Sequence, residues 1–376
     1  MREGLAGLGE DEVALRSLVT GYLAFALVFA PGDEAHRLAV EAVALARAAD
    51  DDEALAESLG SLAWTERASV PIAQRSTTVT ELLEVAERSG DRGRVALAQL
   101  QVGRVRLDGG DLDGADAAFE ASCSIPGMTL EGWTIRNYRA ARLEAEGRFA
   151  EADAVTESAH SIGNDAGETS DAVLHAQRFR TAYDRGDAER CAELAVSLAS
   201  TPFARLAPYD ALIAEITGDE EQMRTRFETW FDEVRPQLPA HLAYVGTAYV
   251  TSMIQRLGDA ERAAQCLGPV QLLSGELPGS EVVIYESFDT CAARLLSTLG
   301  RVDEAIAAGE AGDALHRRIG LDARTAVSST DLGAVLLGRD APGDRERCEE
   351  FLRDGADLAE RLGMAPTLAR ARALLG

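Results

Sequence analysis

The sequence predicts an all-α protein, a right-handed α-solenoid of stacked helical hairpins. Three observations carry the prediction. Alternating runs of β-branched residues are nearly absent, and Val282-Val283-Ile284 leads into a helix-compatible stretch. The strong helix formers Ala, Leu, Arg and Glu dominate instead. A Gly followed by Asp or Arg recurs at Gly110, Gly147, Gly186, Gly218, Gly258, Gly300 and Gly338, at spacings of 32 to 42 residues.

The repeat has a local physical logic. Gly takes the left-handed conformation that stops one helix, and a following Asp can cap the next. Five positions after each Gly stand Ala115, Ala152, Cys191, Met223, Ala263, Ala305 and Gly343. All but Met223 are small, as close crossing of the two helices of a hairpin requires. One hairpin cannot bury its apolar face alone, so neighbours must stack.

The elements follow in chain order. The apolar run from Leu18 to Ala30, closed by Pro31-Gly32, reads as a buried first helix. It is too short to span a bilayer, and the preceding Glu10-Asp11-Glu12 has the wrong charge for a signal peptide. Pro31-Gly32-Asp33 opens an early hairpin, in which Arg37 to Ala49 sets Leu38, Val43 and Leu45 among small Ala residues. Asp50-Asp51-Asp52-Glu53 reads as a helix N-terminus with favourable dipole interactions, and a further helix pair runs to Ser89. Ser89-Gly90-Asp91, Ile319-Gly320-Leu321 and Leu362-Gly363-Met364 end second helices. Breaks at Ile125-Pro126-Gly127, Thr201-Pro202 and Leu277-Pro278-Gly279 separate hairpins. The expectation is a single helical-repeat domain over residues 1–376, of about nine hairpins, with residues 1–19 offering little to bury and prone to fray. A period of about 38 residues exceeds the roughly 34 of the simplest tetratricopeptide arrays. The hairpins are therefore expected to be tetratricopeptide-like but longer and less regular.

Composition limits the chemistry. The 376 residues carry 37 basic and 63 acidic side chains, a formal net charge of -26. Every basic residue is Arg, and no Lys occurs. A P-loop lysine or a Schiff-base lysine is thus excluded, and no cofactor is expected. The acidic surplus argues against direct binding to nucleic acid or to a membrane surface. Cys123, Cys191, Cys266, Cys291 and Cys348 are scattered, so they read as apolar helix residues of a reduced, cytoplasmic protein. His36, His160, His175, His241 and His316 form no ligand spacing, and no metal site is expected. No G-x-S-x-G elbow occurs, and Gly4, Gly7 and Gly9 lack the strand that a dinucleotide loop needs. The Asp108 to Gly114 segment lacks the first and twelfth ligands of a calcium loop, and reads as the turn of a hairpin. Catalysis is not expected.

A recognition groove remains. In a helix-hairpin solenoid, first-helix residues about three, six, ten or thirteen before the turn Gly tend to line the inner surface. That spacing selects Arg104, Asn137, Glu144, Arg180, Tyr183, Ser252, Gln255 and Arg294. Arg offers a planar fork for carboxylates or phosphates, and Tyr a rigid apolar body with a polar tip. Trp133 joins the set because Trp133-Thr134-Ile135-Arg136-Asn137-Tyr138-Arg139 is the densest local mixture of such groups. In the alternative structural role, Trp133 and Tyr138 pack between helices while Arg136 and Arg139 are solvated.

The second half carries a family likeness. It runs from Leu257-Gly258-Asp259-Ala260-Glu261-Arg262-Ala263 through Leu299-Gly300-Arg301-Val302-Asp303-Glu304-Ala305 to Leu362-Gly363-Met364. Glu84 to Asp91 and Gly147 to Ala152 fit the same pattern. The chain resembles the C-terminal tetratricopeptide-like helical region of large bacterial signalling ATPases, including LuxR-type ATP-binding regulators and cyclase-ATPase fusions. The resemblance implies a regulatory scaffold that binds a protein, peptide or small effector in its concave face. The sequence to Gly376 holds neither a Walker A motif nor a basic helix-turn-helix segment. ATP hydrolysis and DNA binding are therefore expected of domains outside this chain, and self-association through its end helices is compatible with the pattern. A transcription-regulator fragment is the second reading, and an enzyme with an acidic pocket inside the helical array the third.

Overall fold

A computed structural model describes residues 1–9, 11–67, 70–123, 129–163, 168–278 and 282–376. Among them there are twenty α-helices and no β-strand. The expected break at Ile125-Pro126-Gly127 lies outside the described residues, as does Gly279 of the later one.

Helices pair in chain order. They are α1 (Arg2–Gly7), α2 (Val13–Ala26), α3 (Glu34–Ala49), α4 (Asp52–Glu66), α5 (Ile72–Ser89), α6 (Arg92–Asp108) and α7 (Leu112–Cys123). Next come α8 (Thr129–Ala145), α9 (Phe149–Gly163), α10 (Glu168–Arg185), α11 (Ala188–Leu198), α12 (Tyr209–Thr217) and α13 (Glu220–Thr229). The last are α14 (Ala240–Leu257), α15 (Ala260–Leu272), α16 (Phe288–Thr298), α17 (Val302–Ile319), α18 (Asp322–Arg339), α19 (Asp344–Leu362) and α20 (Ala365–Leu375). Consecutive helices are packed neighbours, the arrangement of an α-solenoid of helical hairpins. No helix among the described residues is long and apolar enough to cross a membrane.

The hairpin turns work as their residues dictate. At Gly186 the backbone φ is +77°, and Asp187 then caps α11 by accepting from the Arg190 backbone N–H at 3.0 Å. Ala115, Ala152, Cys191, Met223, Ala263 and Ala305, five positions past their glycines, are all buried. The seventh turn is different. Gly338 lies inside α18, and the left-handed residue is Asp340, with φ +50°. Asp tolerates this conformation better than most residues, so the helix runs past the glycine before stopping.

The chain divides into two compact units, Met1–Gly132 with Pro236–Ala243, and Trp133–Arg235 with Tyr244–Gly376. No shift of composition marks these divisions. In unit 1, α2 buries the small residues Ser17, Thr20, Gly21 and Ala24, and Ser17 Oγ donates to the Ala42 carbonyl at 2.8 Å. Small residues on that face let α2 approach α3 and α4 closely. The run from Leu18 to Ala30 is therefore not buried as a whole, because Tyr22, Phe25 and Phe29 point outwards and are exposed.

In unit 2 the C-terminal hairpins return to the first ones. Phe149 at the start of α9 packs with Ala323 and Ala326 of α18, Ala359 of α19 and Met364. A Cβ at Gly186 would lie 2.8 Å from the Pro366 ring of α20, so the α10 turn and α20 are in close contact. Between α15 and α16 the chain leaves helical structure, and Val283, Ile284, Tyr285, Glu286 and Ser287 are all buried. The segment that Val-Val-Ile begins is thus neither strand nor helix but an inserted loop.

Candidate functional site: an arginine-lined cleft in unit 2

The first helices of successive hairpins enclose a cleft of about 720 Å³ in unit 2. Arg180, Tyr183 and Asp184 of α10 line it, with Leu212 and Glu215 of α12, and Ser252, Gln255 and Arg256 of α14. Glu286 of the inserted loop, Arg294 of α16, Ala334 of α18 and Arg370 of α20 complete the polar part and its floor.

Five of the residues selected by spacing meet here: Arg180, Tyr183, Ser252, Gln255 and Arg294. The other three, and Trp133, lie elsewhere. Glu144 sits behind the Arg180 wall, buried in the ionic network described below. Asn137 is buried beside α10, its backbone carbonyl accepting from Gln177 Nε2 at 2.8 Å. Trp133 packs against α9, where a Cβ at Gly163 would collide with the indole. Arg104 belongs to unit 1, where its guanidinium carbon lies 4.2 Å from the Trp64 ring centroid.

Behind the cleft wall is a network of buried charges. Arg324 of α18 donates to Asp184 Oδ2 at 2.9 Å, to Glu286 Oε1 at 3.4 Å, and to Glu144 Oε1. Arg180 donates to Asp184 Oδ2 at 3.2 Å and to Glu286 Oε1 at 2.9 Å. Arg294 donates to Asp331 Oδ2 at 2.7 Å and to Thr251 Oγ1 at 3.2 Å. Arg370, 44 % exposed, donates to the other Asp331 oxygen. Unit 1 repeats this last motif on a smaller scale, with Asp108 accepting from Arg75 at 2.6 Å and from Arg67 at 3.2 Å.

The guanidiniums sort the carboxylates by charge. Burial pushes Glu286 up, but Arg180, Arg294 and Arg324 outweigh it and hold the group well below the usual range. Asp184 is likewise held down against burial by Arg180 and Arg324, and Asp331 by Arg294 and Arg370. Glu144 goes the other way. Burial, opposed by Arg324 and reinforced by the Asp184 carboxylate, pushes it up to about 8. Burial also raises Glu215, which accepts from the Tyr183 hydroxyl at 2.7 Å and from Ser252 Oγ at 3.5 Å.

His316 on α17 holds the inserted loop in place. Its Nε2 accepts from the Ser287 backbone N–H at 2.9 Å, so the ring carries its proton on Nδ1 and donates to Ser328 Oγ, 3.2 Å away. Ser328 in turn donates to Asp313 Oδ1 at 3.0 Å. Burial lowers the His316 pKa to about 4. Ser287 also caps α16, its Oγ accepting from the Thr290 N–H.

The missed residues divide by the signal available. Leu212 and Glu215 stand six and three positions before Gly218, so the same spacing finds them. Ala334 stands six before Asp340, and became legible only with the true turn in hand. Arg370 stands six before Gly376, whose φ is +93°, so the same spacing reaches it, whereas Glu286 had no signal because it lies in an irregular loop. Among the described residues, no group of three or more His, Cys, Asp or Glu is placed to hold a metal ion.

The fold and cleft define a helical-repeat protein with an arginine-lined interior pocket. The chain matches no protein-family model and no curated protein.

Proposed function

We propose that the chain is a non-catalytic recognition module that binds a small effector in the cleft of unit 2. One observation carries this reading: side chains from five successive first helices and from α20 converge on a single concavity. Its volume of about 720 Å³ falls within the roughly 300–1,000 Å³ common for small-molecule sites. The cleft carboxylates favour binding over catalysis, because Asp184 and Glu286 are engaged by guanidiniums and Glu215 by Tyr183 and Ser252.

The proposed role is regulatory. A ligand touching α10, α14, α16 and α20 together would favour the arrangement in which those helices close on it, and would bias any partner that reads that arrangement. The setting in bacterial signalling or transcription regulation rests on the resemblance of residues 257–364 to the helical regions of signalling ATPases. In that setting, ATP hydrolysis and DNA binding belong to other domains.

The test is a thermal-shift screen of small metabolites, repeated on Gln255→Trp. Gln255 is half-buried on the cleft wall, so the larger ring obstructs the cavity while leaving the ionic network intact. A true effector raises the melting temperature of the parent and not of the variant. Effectors that stabilise both proteins equally would remove the cleft from consideration.

A further inference from the structure

Among the described residues four guanidiniums line the unit 2 cleft, and each keeps hydrogen-bonding capacity that those residues do not use. Arg294 is 4 % exposed and directs Nε and Nη1 to Asp331 and Thr251. Its Nη2 has no hydrogen-bond partner among the described residues. Arg180, also 4 % exposed, directs Nε and Nη2 to Asp184 and Glu286, and its Nη1 has no partner among them. Among the described residues, Arg370 donates through Nη1 alone, to Asp331, and Arg256 through Nη1 alone, to the Glu215 carbonyl at 3.2 Å. Arg cannot lose its proton, so these unfilled donors can be satisfied only by an acceptor.

Carboxylates in and behind the cleft wall tie the guanidiniums together, while Glu215 faces the cleft from α12 with Oε2 accepting from Tyr183 and Ser252. Asp331 takes one guanidinium on each oxygen, and Glu286 lies between Arg180 at 2.9 Å and Arg294 at 3.9 Å. The cleft wall is thus a row of three guanidiniums, Arg180, Arg294 and Arg370, strung on two carboxylates. A rigid fork of N–H groups fits a planar carboxylate or a phosphate oxygen pair better than it fits a neutral group. Beside this row the lining turns apolar, with Leu212, Ile216, Ala248, Val327 and Pro366, and the Tyr249 ring.

We infer that the cleft takes a small organic anion, with a carboxylate or phosphate head at Arg294 and Arg370 and an apolar or aromatic body against Leu212, Ile216 and Val327. This inference rests on the cleft being a ligand site, as proposed above, and adds the charge and shape of the ligand. The formal charge of -26 does not oppose it at contact distance. Exposed charges beyond about 10 Å are largely screened at 0.1 M salt, while the cleft arginines act within hydrogen-bonding distance. The acidic exterior slows the approach of anions in general, so selection falls to the donors inside.

The test is isothermal titration of the full chain, at about 0.1 M salt where the exterior charge is screened, with phenyl phosphate, benzoate, inorganic phosphate, phenol and benzylamine. Phenyl phosphate and benzoate are expected to bind, and comparison of the two separates the phosphate from the carboxylate source. Inorganic phosphate should bind at least tenfold more weakly than phenyl phosphate, because it lacks the body. Arg370→Gln and Arg256→Gln alter side chains at the exposed rim, and circular-dichroism melting verifies that both fold. Arg370→Gln should weaken phenyl phosphate at least tenfold, and Arg256→Gln by a smaller factor. Anion binding that neither variant changes, or no heat from either aromatic anion, overturns the inference. Binding of phenol or benzylamine alone, abolished by Gln255→Trp, also overturns it but leaves the cleft as a ligand site. If Gln255→Trp changes the binding of none of the probes that do bind, both readings fall.

Discussion

Arg324 Nη1 donates to Asp184 Oδ2 at 2.9 Å, although 140 positions separate the two residues in the chain. The same guanidinium reaches Glu144 of α8 and Glu286 of the inserted loop, and it is fully buried. One side chain of α18 therefore joins α8, α10 and the loop before α16 behind the cleft.

Removing that side chain takes from Glu144 its hydrogen-bonding guanidinium and leaves Asp184 and Glu286 to Arg180. A buried ion pair adds little over a well-packed apolar alternative, but breaking one leaves charge without compensation. Arg324→Met is expected to destabilise unit 2 by about 3–5 kcal/mol in urea unfolding. A loss below about 1 kcal/mol would show that the network relaxes or admits water instead.

Glu144 gives the network a pH dependence. Its pKa is raised from the ordinary glutamate value to about 8, so the folded state holds a proton that the unfolded chain has already released. Stability from this group is complete below about pH 4.5 and declines as pH rises to about 8. Glu144→Gln mimics the protonated acid and keeps an oxygen for Arg324. The variant should show a flatter stability profile between pH 5 and 8, and exceed the parent by a few kcal/mol above pH 8. Parallel profiles for the two proteins would place Glu144 in the ionised form.

His316 acts in the opposite direction. Its pKa falls from the ordinary histidine value to about 4, so the unfolded chain takes up a proton that the folded chain refuses. Its contribution is complete above about pH 6.5 and is lost as pH falls through about 4. Protonation also removes the acceptor for the Ser287 N–H, which frees the loop carrying Glu286. His316→Gln should reduce the acid-side slope between pH 6.5 and 4. Protection of the Ser287 amide, taken relative to its intrinsic exchange rate at each pH, should fall in the parent as pH approaches about 4. Protection that is flat across the range would contradict the role given to the ring.

The turn glycines provide a paired test. Gly186→Ala puts a side chain at φ +77° and against the Pro366 ring, and should cost about 1–2 kcal/mol or more. Gly338→Ala adds a methyl group in open space within α18, and should be neutral or stabilising by up to about 1 kcal/mol. Equal losses at both sites would restore Gly338 as the turn residue.

Much of the site was legible because hairpin spacing is local. Positions three and six before a turn Gly fall on one face of a first helix, and that face is where Arg180, Tyr183, Ser252, Gln255 and Arg294 stand. The rule weakened at α8, where Glu144 and Asn137, three and ten before Gly147, lie outside the cleft. There the returning C-terminal hairpins bring Arg324 over Glu144, and cover a surface that an open array would leave free.

The sequence by itself determined the helical class, the hairpin order and six of the seven turns, since capping, glycine conformation and apolar periodicity act over a few residues. Only the tertiary structure decided that α18 and α20 pack back on α8 to α10, that a non-helical loop places Glu286 between Arg180 and Arg294, and that Asp340 rather than Gly338 ends α18. Those outcomes depend on long-range burial and charge pairing. No short window of sequence contains both partners of a contact 140 residues apart.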